Sequence, residues 1–232
     1  MRITFLFLFC INASCLLAQA NDTIPLKFIP AYGKEILHLQ DSSFYSNDKD
    51  SIEISALKFY ISGLELYRQG KLVWKEKDSY HLIDASDEKS LSIPMIIPNK
   101  TDYDRLAFNL GIDSATNVTG VQGGDLDPMR GMYWTWQSGY INFKLEGTSP
   151  LCNTRHHAFE FHIGGYRYPY NTLQPLSFPV SKSVAMDVYL RLNELFSALN
   201  LARTNQIMTP GKDAFFISKE LKKYFNSVLE IK

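Results

Sequence analysis

Hydrophobic and polar residues alternate with a period of two along several segments, which is the pattern of half-buried β-strands. The alternation is clearest in residues 57–67, 104–112, 132–146 and 159–163. Helical spacing of apolar residues occurs only late in the chain, in residues 192–199 and 213–229. The pattern predicts an all-β fold, an antiparallel β-sandwich of Greek-key or immunoglobulin-like type with one or two short C-terminal helices.

Residues 132–146 hold two of the three tryptophans of the chain. In an extended strand, Met132, Trp134 and Trp136 point to one face. Gly139 interrupts the run and indicates a bulge or a close backbone approach. The alternation then resumes with three apolar residues on one face, namely Ile141, Phe143 and Leu145. We interpret the segment as one kinked strand, which serves either as an ordinary bulky core strand or as part of a site.

A histidine cluster accompanies the last of these strands. Three of the five histidines fall within residues 156–162. In an extended strand, His162 and Glu160 share one face, and Phe159 and Phe161 share the other. Imidazole and thioether groups are the donors that Cu(I) prefers. His162 is therefore either a structural histidine or a metal ligand.

Residues 113–131 are polar, rich in Gly and Asp, and show no periodicity. A loop of this length inside a compact domain is usually functional or disordered. Because it leads directly into the tryptophan-containing segment, we interpret it as a functional lid.

The N-terminus has the features of a secretory signal peptide. Residues 1–20 start with a charged residue, continue with an apolar run that is short for a membrane span, and end in a small-x-small cleavage site. A lipoprotein anchor at Cys15 is disfavoured because Asn12 occupies the place of an aliphatic residue. We expect cleavage before Asn21, a periplasmic or extracellular location, and a single domain over residues 21–232.

Charge and composition exclude several function classes. The chain has 24 basic and 24 acidic residues, and loss of the signal peptide removes only one basic residue, Arg2. Such a balance argues against nucleic acid as a partner. No later segment is apolar enough to span a membrane, and no hydrolase, phosphate-loop or zinc-protease motif is present, so we expect a non-enzymatic protein. The mature chain would keep one cysteine, Cys152, which excludes an intrachain disulfide.

The order of residues around the tryptophans is more specific than their composition. Residues 131–140 read Gly-Met-Tyr-Trp-Thr-Trp-Gln-Ser-Gly-Tyr, and Lys-Leu-Glu-Gly follows at 144–147. This resembles the signature of the MbnP-like family, periplasmic copper-binding proteins named for the methanobactin operon. Three further segments resemble family motifs in the same order, at residues 57–62, 108–117 and 159–165. The resemblance covers residues 26–225.

The resemblance implies a copper site and a modification. In this family a tryptophan is oxidised to kynurenine by a diheme cytochrome peroxidase related to MauG, and the product helps to bind copper. Trp134 and Trp136 match the motif, without indicating which is modified, and His162 matches the family's strand histidine. With Met132 as a thioether donor, these four residues are the candidate copper site.

One departure from the family pattern affects the expected ligands. Some members carry a histidine after the asparagine matched by Asn117, whereas this chain has Val118. Its absence weakens copper binding or shifts the metal towards His157, Cys152 or Met132. Met208 is a further thioether, with core packing as its alternative role.

Two other functions remain open at this level. One is a metal-free interaction module, and the other is a carbohydrate-binding sandwich that uses exposed aromatic rings. Burial of Trp134 and Trp136 discriminates the carbohydrate alternative, and copper titration after removal of His162 discriminates the metal-free one.

Overall fold

The computed structural model describes residues 21–39, 44–47, 50–137 and 139–227. The predicted signal peptide lies outside the described residues. Fifteen strands and three α-helices make up the described chain. The strands are β1 (Asn21–Tyr32), β2 (Glu35–Ile36), β3 (Phe44–Asn47), β4 (Asp50–Arg68), β5 (Lys71–Lys75), β6 (Tyr80–Asp84), β7 (Ser92–Pro98), β8 (Arg105–Leu110), β9 (Tyr133–Trp134), β10 (Gly139–Thr148), β11 (Ala158–Gly164), β12 (Gln174–Pro179), β13 (Met186–Arg191), β14 (Gln206–Ile207) and β15 (Phe225–Ser227). The helices are α1 (Ser114–Thr119), α2 (Leu192–Ala198) and α3 (Lys212–Leu221).

Two sheets pack against each other and confirm the predicted β-sandwich. The smaller sheet has the order β15-β13-β1-β2, with β7 also paired to β1. The larger sheet has the order β12-β8-β4-β10-β11-β14, with four further strands paired to β4 or β10. Most pairs are antiparallel, but β1 with β13 and β11 with β14 are parallel. The sheets are therefore mixed rather than wholly antiparallel.

The 19-residue strand β4 shows how alternation builds the core. Leu57, Phe59 and Ile61 face the small sheet and are fully buried. Lys58 and Tyr60 point to the opposite side, which we call the outer face of the large sheet. Tyr60 is also fully buried because a second hydrophobic cluster covers part of this outer face. That second cluster consists of Tyr60, Leu82, Ile112, Leu126, Met132, Trp134, Tyr140 and Ile141.

The predicted single strand over 132–146 is wrong, because the segment forms a hairpin of β9 and β10. The chain turns at residues 135–137, so Trp136 leaves the strand on which it was expected. A register shift between Ile141 and Phe143 then places a bulge in β10. As a result Ile141 joins the second cluster while Phe143 joins the main core, although alternation had put both on one face.

Residues 113–131 are also more ordered than predicted. They contain α1 and two 3-10 turns, Gly124–Leu126 and Pro128–Arg130. The Asp113 side chain accepts a hydrogen bond from the backbone of Thr116 and so caps α1. Leu126 inserts into the second cluster, so the segment covers the outer face. Its movement as a lid stays a prediction.

The late helices agree with the periodicity except at their ends. Helix α2 matches the prediction for residues 192–199, but α3 ends at Leu221. Phe225, expected on the helix, instead pairs with Leu190 and is buried in the core. Within the described part of the chain, no helix has the length and apolar character that crossing a membrane requires.

Candidate functional site

The candidate site lies on the outer face of the large sheet, where β9, β10 and β11 meet. Asn117 of α1 anchors the covering segment to it. Its amide nitrogen donates to the carbonyl oxygens of Ile112 and Asp113, and its Oδ1 accepts from the backbone N–H of Tyr140. The asparagine of the family motif thus has a structural role here.

The two tryptophans lie together but in different environments. Their ring centroids are 6.1 Å apart. Trp134 is 5% exposed, and its ring lies against Gly164 of β11, where an added Cβ would come within 2.7 Å of it. Trp136 is 63% exposed. Since only one indole is accessible, a broad aromatic platform for stacking a sugar is not formed by this pair.

His162 lies two residues before Gly164 on β11, so its Cβ is about 7 Å along the strand from the position that Trp134 covers. It is 8% exposed and points to the outer face, as alternation predicted. Its Nε2 lies 2.6 Å from Oε1 of Glu146 on β10. Nζ of Lys144 lies 3.1 Å from the same oxygen. The hydrogen bond from His162 is the main cause that lowers the pKa of Glu146 to about 2, and Lys144 contributes further.

This hydrogen bond determines which imidazole nitrogen is available. An ionised carboxylate only accepts hydrogen bonds, so Nε2 of His162 must carry the proton. In the neutral form of the ring, Nδ1 then keeps its lone pair. Among the described residues no hydrogen bond to this Nδ1 is found. Glu146 therefore orients His162 in the way that carboxylates orient metal-binding histidines.

Met132 lies away from His162, which changes the expected donor set. Strands β9 and β11 pair with opposite edges of β10 and so lie about 10 Å apart. Met132 is fully buried, and the second cluster surrounds it. The structure brings Met132 together with Trp134, but its contacts give it a packing role.

Met208 directly follows β14, the strand that pairs with β11 on the side away from β10. Strand β14 runs parallel to β11 with Gln206 level with Glu160, and their side chains form a 2.8 Å hydrogen bond on the outer face. Continuing the same register by one residue past the end of β14 would put Met208 level with His162 and on the same face. Met208 is 38% exposed. The sequence indicated this thioether as a candidate, but only the pairing of β14 with β11 places it.

The other alternative ligands lie elsewhere. Cys152 is buried in the main core, and burial raises the pKa of its thiol. Nδ1 of His157 is 2.9 Å from the carbonyl oxygen of Cys152, at the end of β11 remote from Gly164. Val118 is 74% exposed. Among the described residues, no group of three or more His, Cys, Asp or Glu side chains is arranged to hold a metal.

A cleft opens beside Trp134. Its walls come from the β9–β10 turn, the segment after β11 and the start of α3, and its lining includes Gln137, Tyr166, Tyr170, Pro210 and Gly211. The cleft gives solvent a route to the edge of the buried indole.

Comparison with known proteins identifies the family. The family model described as MbnP matches residues 21–209. Among solved structures, MbnP from Methylosinus trichosporium is similar, with a TM-score of 0.62 and 16% sequence identity over 83% of each chain. That likeness supports the fold. Among curated protein sequences no match was found. The chain therefore belongs to the MbnP family, which associates it with methanobactin-type operons.

Proposed function

We propose that this protein is an exported copper-binding protein whose metal site centres on His162. The observation that carries the proposal is the 2.6 Å contact between Nε2 of His162 and Glu146, which directs Nδ1 away from the carboxylate, on the strand face where the ring of Trp134 covers Gly164. Family membership supports the choice of copper.

The donors nearest to His162 suit Cu(I). Nδ1 supplies a neutral nitrogen, and Met208, directly after the adjacent strand β14, supplies a thioether sulfur. The family histidine is absent at Val118, so the thioether takes the place of an imidazole donor in this chain. Two soft neutral donors favour Cu(I) over Cu(II). Buried, apolar neighbours such as Trp134 shield the site from water.

A modified tryptophan supplies the third donor in this proposal. Conversion to kynurenine cleaves the C2–C3 bond of the indole, with two equivalents of hydrogen peroxide consumed by the peroxidase as the oxidant. Hydrolysis then releases C2 as formate and leaves an aniline nitrogen that can bind copper. We assign the modification to Trp134, because its ring covers Gly164, two residues from His162 on the same face of β11, and Trp136 gives the diheme peroxidase an accessible contact. Trp74 should stay intact, since its indole N–H donates to the carbonyl oxygen of Ile96 on a different part of the sandwich. Peptide mass mapping after co-expression with the host's diheme peroxidase tests this assignment. A kynurenine at Trp136 or Trp74, with Trp134 unmodified, would contradict it.

Export follows from the predicted signal peptide and from the family. The mature N-terminus should be Asn21, which intact-mass analysis of protein from the native host will measure. A lipid attached to Cys15 would contradict soluble export.

Copper titration of paired variants tests the function. His162→Ala should weaken Cu(I) binding by more than about tenfold, or more than about 1.4 kcal/mol. His81→Ala is the matched control, because Nε2 of His81 lies 2.7 Å from Oε2 of Glu76 in a similar pair, with His81 on a different strand, β6. Equal affinities of the two variants would remove His162 from the site. Absence of tight Cu(I) binding by the peroxidase-treated wild type would refute the copper function itself.

A further inference from the structure

The second cluster and the partly buried Tyr133 that packs against it bring several oxidisable aromatic rings together. The series of rings starts at the exposed indole of Trp136, which lies 6.1 Å from that of Trp134. Within the cluster, Tyr133 lies 5.0 Å from Tyr140, and Tyr140 lies 5.8 Å from Tyr60, measured between ring centroids. Trp134 packs in the same cluster and is the chain neighbour of Tyr133. The rings thus lead from solvent to the interior of the covered face.

Among the described residues, the hydroxyls of Tyr60 and Tyr140 have no carboxylate or imidazole as a hydrogen-bond partner. The hydroxyl of Tyr60 donates to the main-chain carbonyl of Asp125, and that of Tyr140 donates to the carbonyls of Gly120 and Leu126. A carbonyl oxygen is too weak a base to take the proton of an oxidised phenol. These rings are therefore suited to relay an electron and not to hold a stable tyrosyl radical.

Tyr80 packs against the cluster and differs in this respect. Its hydroxyl donates to Oδ2 of Asp113 at 2.8 Å. It lies on β6, two residues from Leu82, which pairs with Tyr60, so the two tyrosines are diagonal neighbours on the outer face at about 7–8 Å. Tyr80 is thus a phenol at the inner end of the series, and it has a carboxylate beside it.

We propose that these residues form an electron-transfer path that ends at Tyr80. A one-electron oxidant at the surface takes an electron from Trp136, and Trp134 refills that hole. Tyr80 then gives an electron to the Trp134 radical cation across the rings of Tyr140 and Tyr60, and its phenolic proton moves to Asp113. The products are an intact indole, a neutral tyrosyl radical and a protonated carboxyl group. The path removes the oxidising equivalent from the indole pair, and it requires no bound copper.

A tethered photo-oxidant tests this path in the copper-free mature chain, residues 21–232, produced without a peroxidase so that all indoles are intact. Thr135 is exposed and adjoins Trp136, so a ruthenium polypyridyl label on Thr135→Cys delivers the oxidant locally. The native Cys152 is 1% exposed and should not compete for the label. Flash–quench transient absorption should show an indole radical that decays into a tyrosyl radical, more slowly in D2O than in H2O.

Three variants of the labelled protein identify the end of the path. Tyr80→Phe should abolish the tyrosyl signal and prolong the indole radical. Asp113→Asn should do the same, although asparagine caps a helix about as well as aspartate, so α1 should remain folded. Tyr67→Phe is the matched control, because Tyr67 donates to Glu65 at 2.6 Å but lies outside the second cluster. Its tyrosyl yield should equal that of the parent.

Several results would overturn the proposal. These are a tyrosyl yield that is unchanged in Tyr80→Phe, an indole lifetime that Asp113→Asn leaves unaltered, and a loss of signal in Tyr67→Phe. A parent protein that forms no indole radical, or whose indole radical yields no tyrosyl radical, would equally exclude the path. None of these outcomes bears on copper affinity, so failure here and failure of the copper function are distinguishable.

Discussion

Two histidine–glutamate pairs on the large sheet have the same type of imidazole–carboxylate hydrogen bond but differ in their surroundings. His162 lies 2.6 Å from Glu146, and His81 lies 2.7 Å from Glu76. The His162 side chain is 10% exposed and lies near an indole pair, whereas the His81 side chain is 25% exposed. The first pair also has a thioether, Met208, directly after the strand that adjoins β11. A carboxylate thus orients an imidazole at either place. The thioether and the indoles on its side of the sheet are what make His162 the candidate copper ligand.

The carboxylates of the two pairs also differ in what sets their pKa. The hydrogen bond from His162 is the largest influence on Glu146 and lowers its pKa to about 2. For Glu76 burial is the largest influence and would raise the pKa, but hydrogen bonds from His81 and Ser79 outweigh it, so the pKa is lowered. The pKa of Glu146 therefore depends more strongly on its histidine partner than the pKa of Glu76 does.

The largest expected effects are those of substituting the two methionines, which should change stability at Met132 and Cu(I) affinity at Met208. Met132→Ala should cost about 2–5 kcal/mol of unfolding free energy, because it empties a buried position. The more conservative Met132→Leu should leave Cu(I) affinity unchanged. Met208→Leu should instead weaken Cu(I) binding about tenfold, or about 1.4 kcal/mol, with little effect on stability. Urea unfolding and Cu(I) titration of each variant measure both quantities. A loss of affinity in Met132→Leu alone would restore Met132 as the donor.

Substitution of Gly164 tests whether the ring of Trp134 is packed tightly against β11. An alanine Cβ there would lie 2.6 Å from the carbonyl oxygen of Tyr140 and 2.7 Å from the ring of Trp134. Gly164→Ala should cost about 1–3 kcal/mol of stability through overpacking, and it should displace the indole. Gly123→Ala is the control, because a Cβ added at Gly123 would meet no other atom within 4 Å. Equal stability of the two variants by thermal unfolding would show that the ring of Trp134 moves freely.

Neutralising each carboxylate sharpens the comparison further. Glu146→Gln keeps an acceptor for His162 but removes the charge that fixes its tautomer. Loss of such a supporting carboxylate typically costs about 10–100-fold in metal affinity. Glu76→Gln should leave Cu(I) affinity unchanged, because His81 is not a ligand. Similar losses in both variants would indicate a non-specific electrostatic effect.

Acid titration of the metal-free protein should give the smallest effect. The pKa of Glu146 is lowered from 4.5 to about 2 in the folded state, so its contribution to stability is complete above pH 4.5 and is lost as the pH falls towards about 2. Glu146→Gln should remove this part of the acid dependence. Urea midpoints measured across this range report the difference. Superimposable curves for wild type and variant would mean that the pair does not stabilise the folded chain.

Local patterns predicted the strands, and contacts remote in sequence explain what they missed. Alternation correctly put Phe143 in the core and His162 on the opposite face. It failed at Ile141, because the bulge in β10 reverses the face of one residue and no local pattern marks it. The parallel pairing of β1 with β13 depends on segments about 160 residues apart, which periodicity does not relate.

For the candidate site, too, the sequence identified several residues but did not give their arrangement. His162 and the tryptophans were identified from the family motif and the strand pattern. The partnership of His162 with Glu146 needs the register of β10 on β11, and the placement of Met208 needs the pairing of β14. Trp136 was expected in the strand, and the turn after Trp134 moves it to the surface. Register and turns, rather than residue types, were therefore the missing information.

The protonation of His162 tests the central claim most directly. Nitrogen-resolved NMR of 15N-histidine-labelled protein, assigned with His162→Ala, will show which ring nitrogen carries the proton before and after addition of Cu(I). We predict a proton on Nε2 in the metal-free protein and a Cu(I)-induced change in the 15N chemical shift of Nδ1, with no such change at His81. A proton on Nδ1, or a copper-induced change at His81 but not at His162, would contradict this prediction.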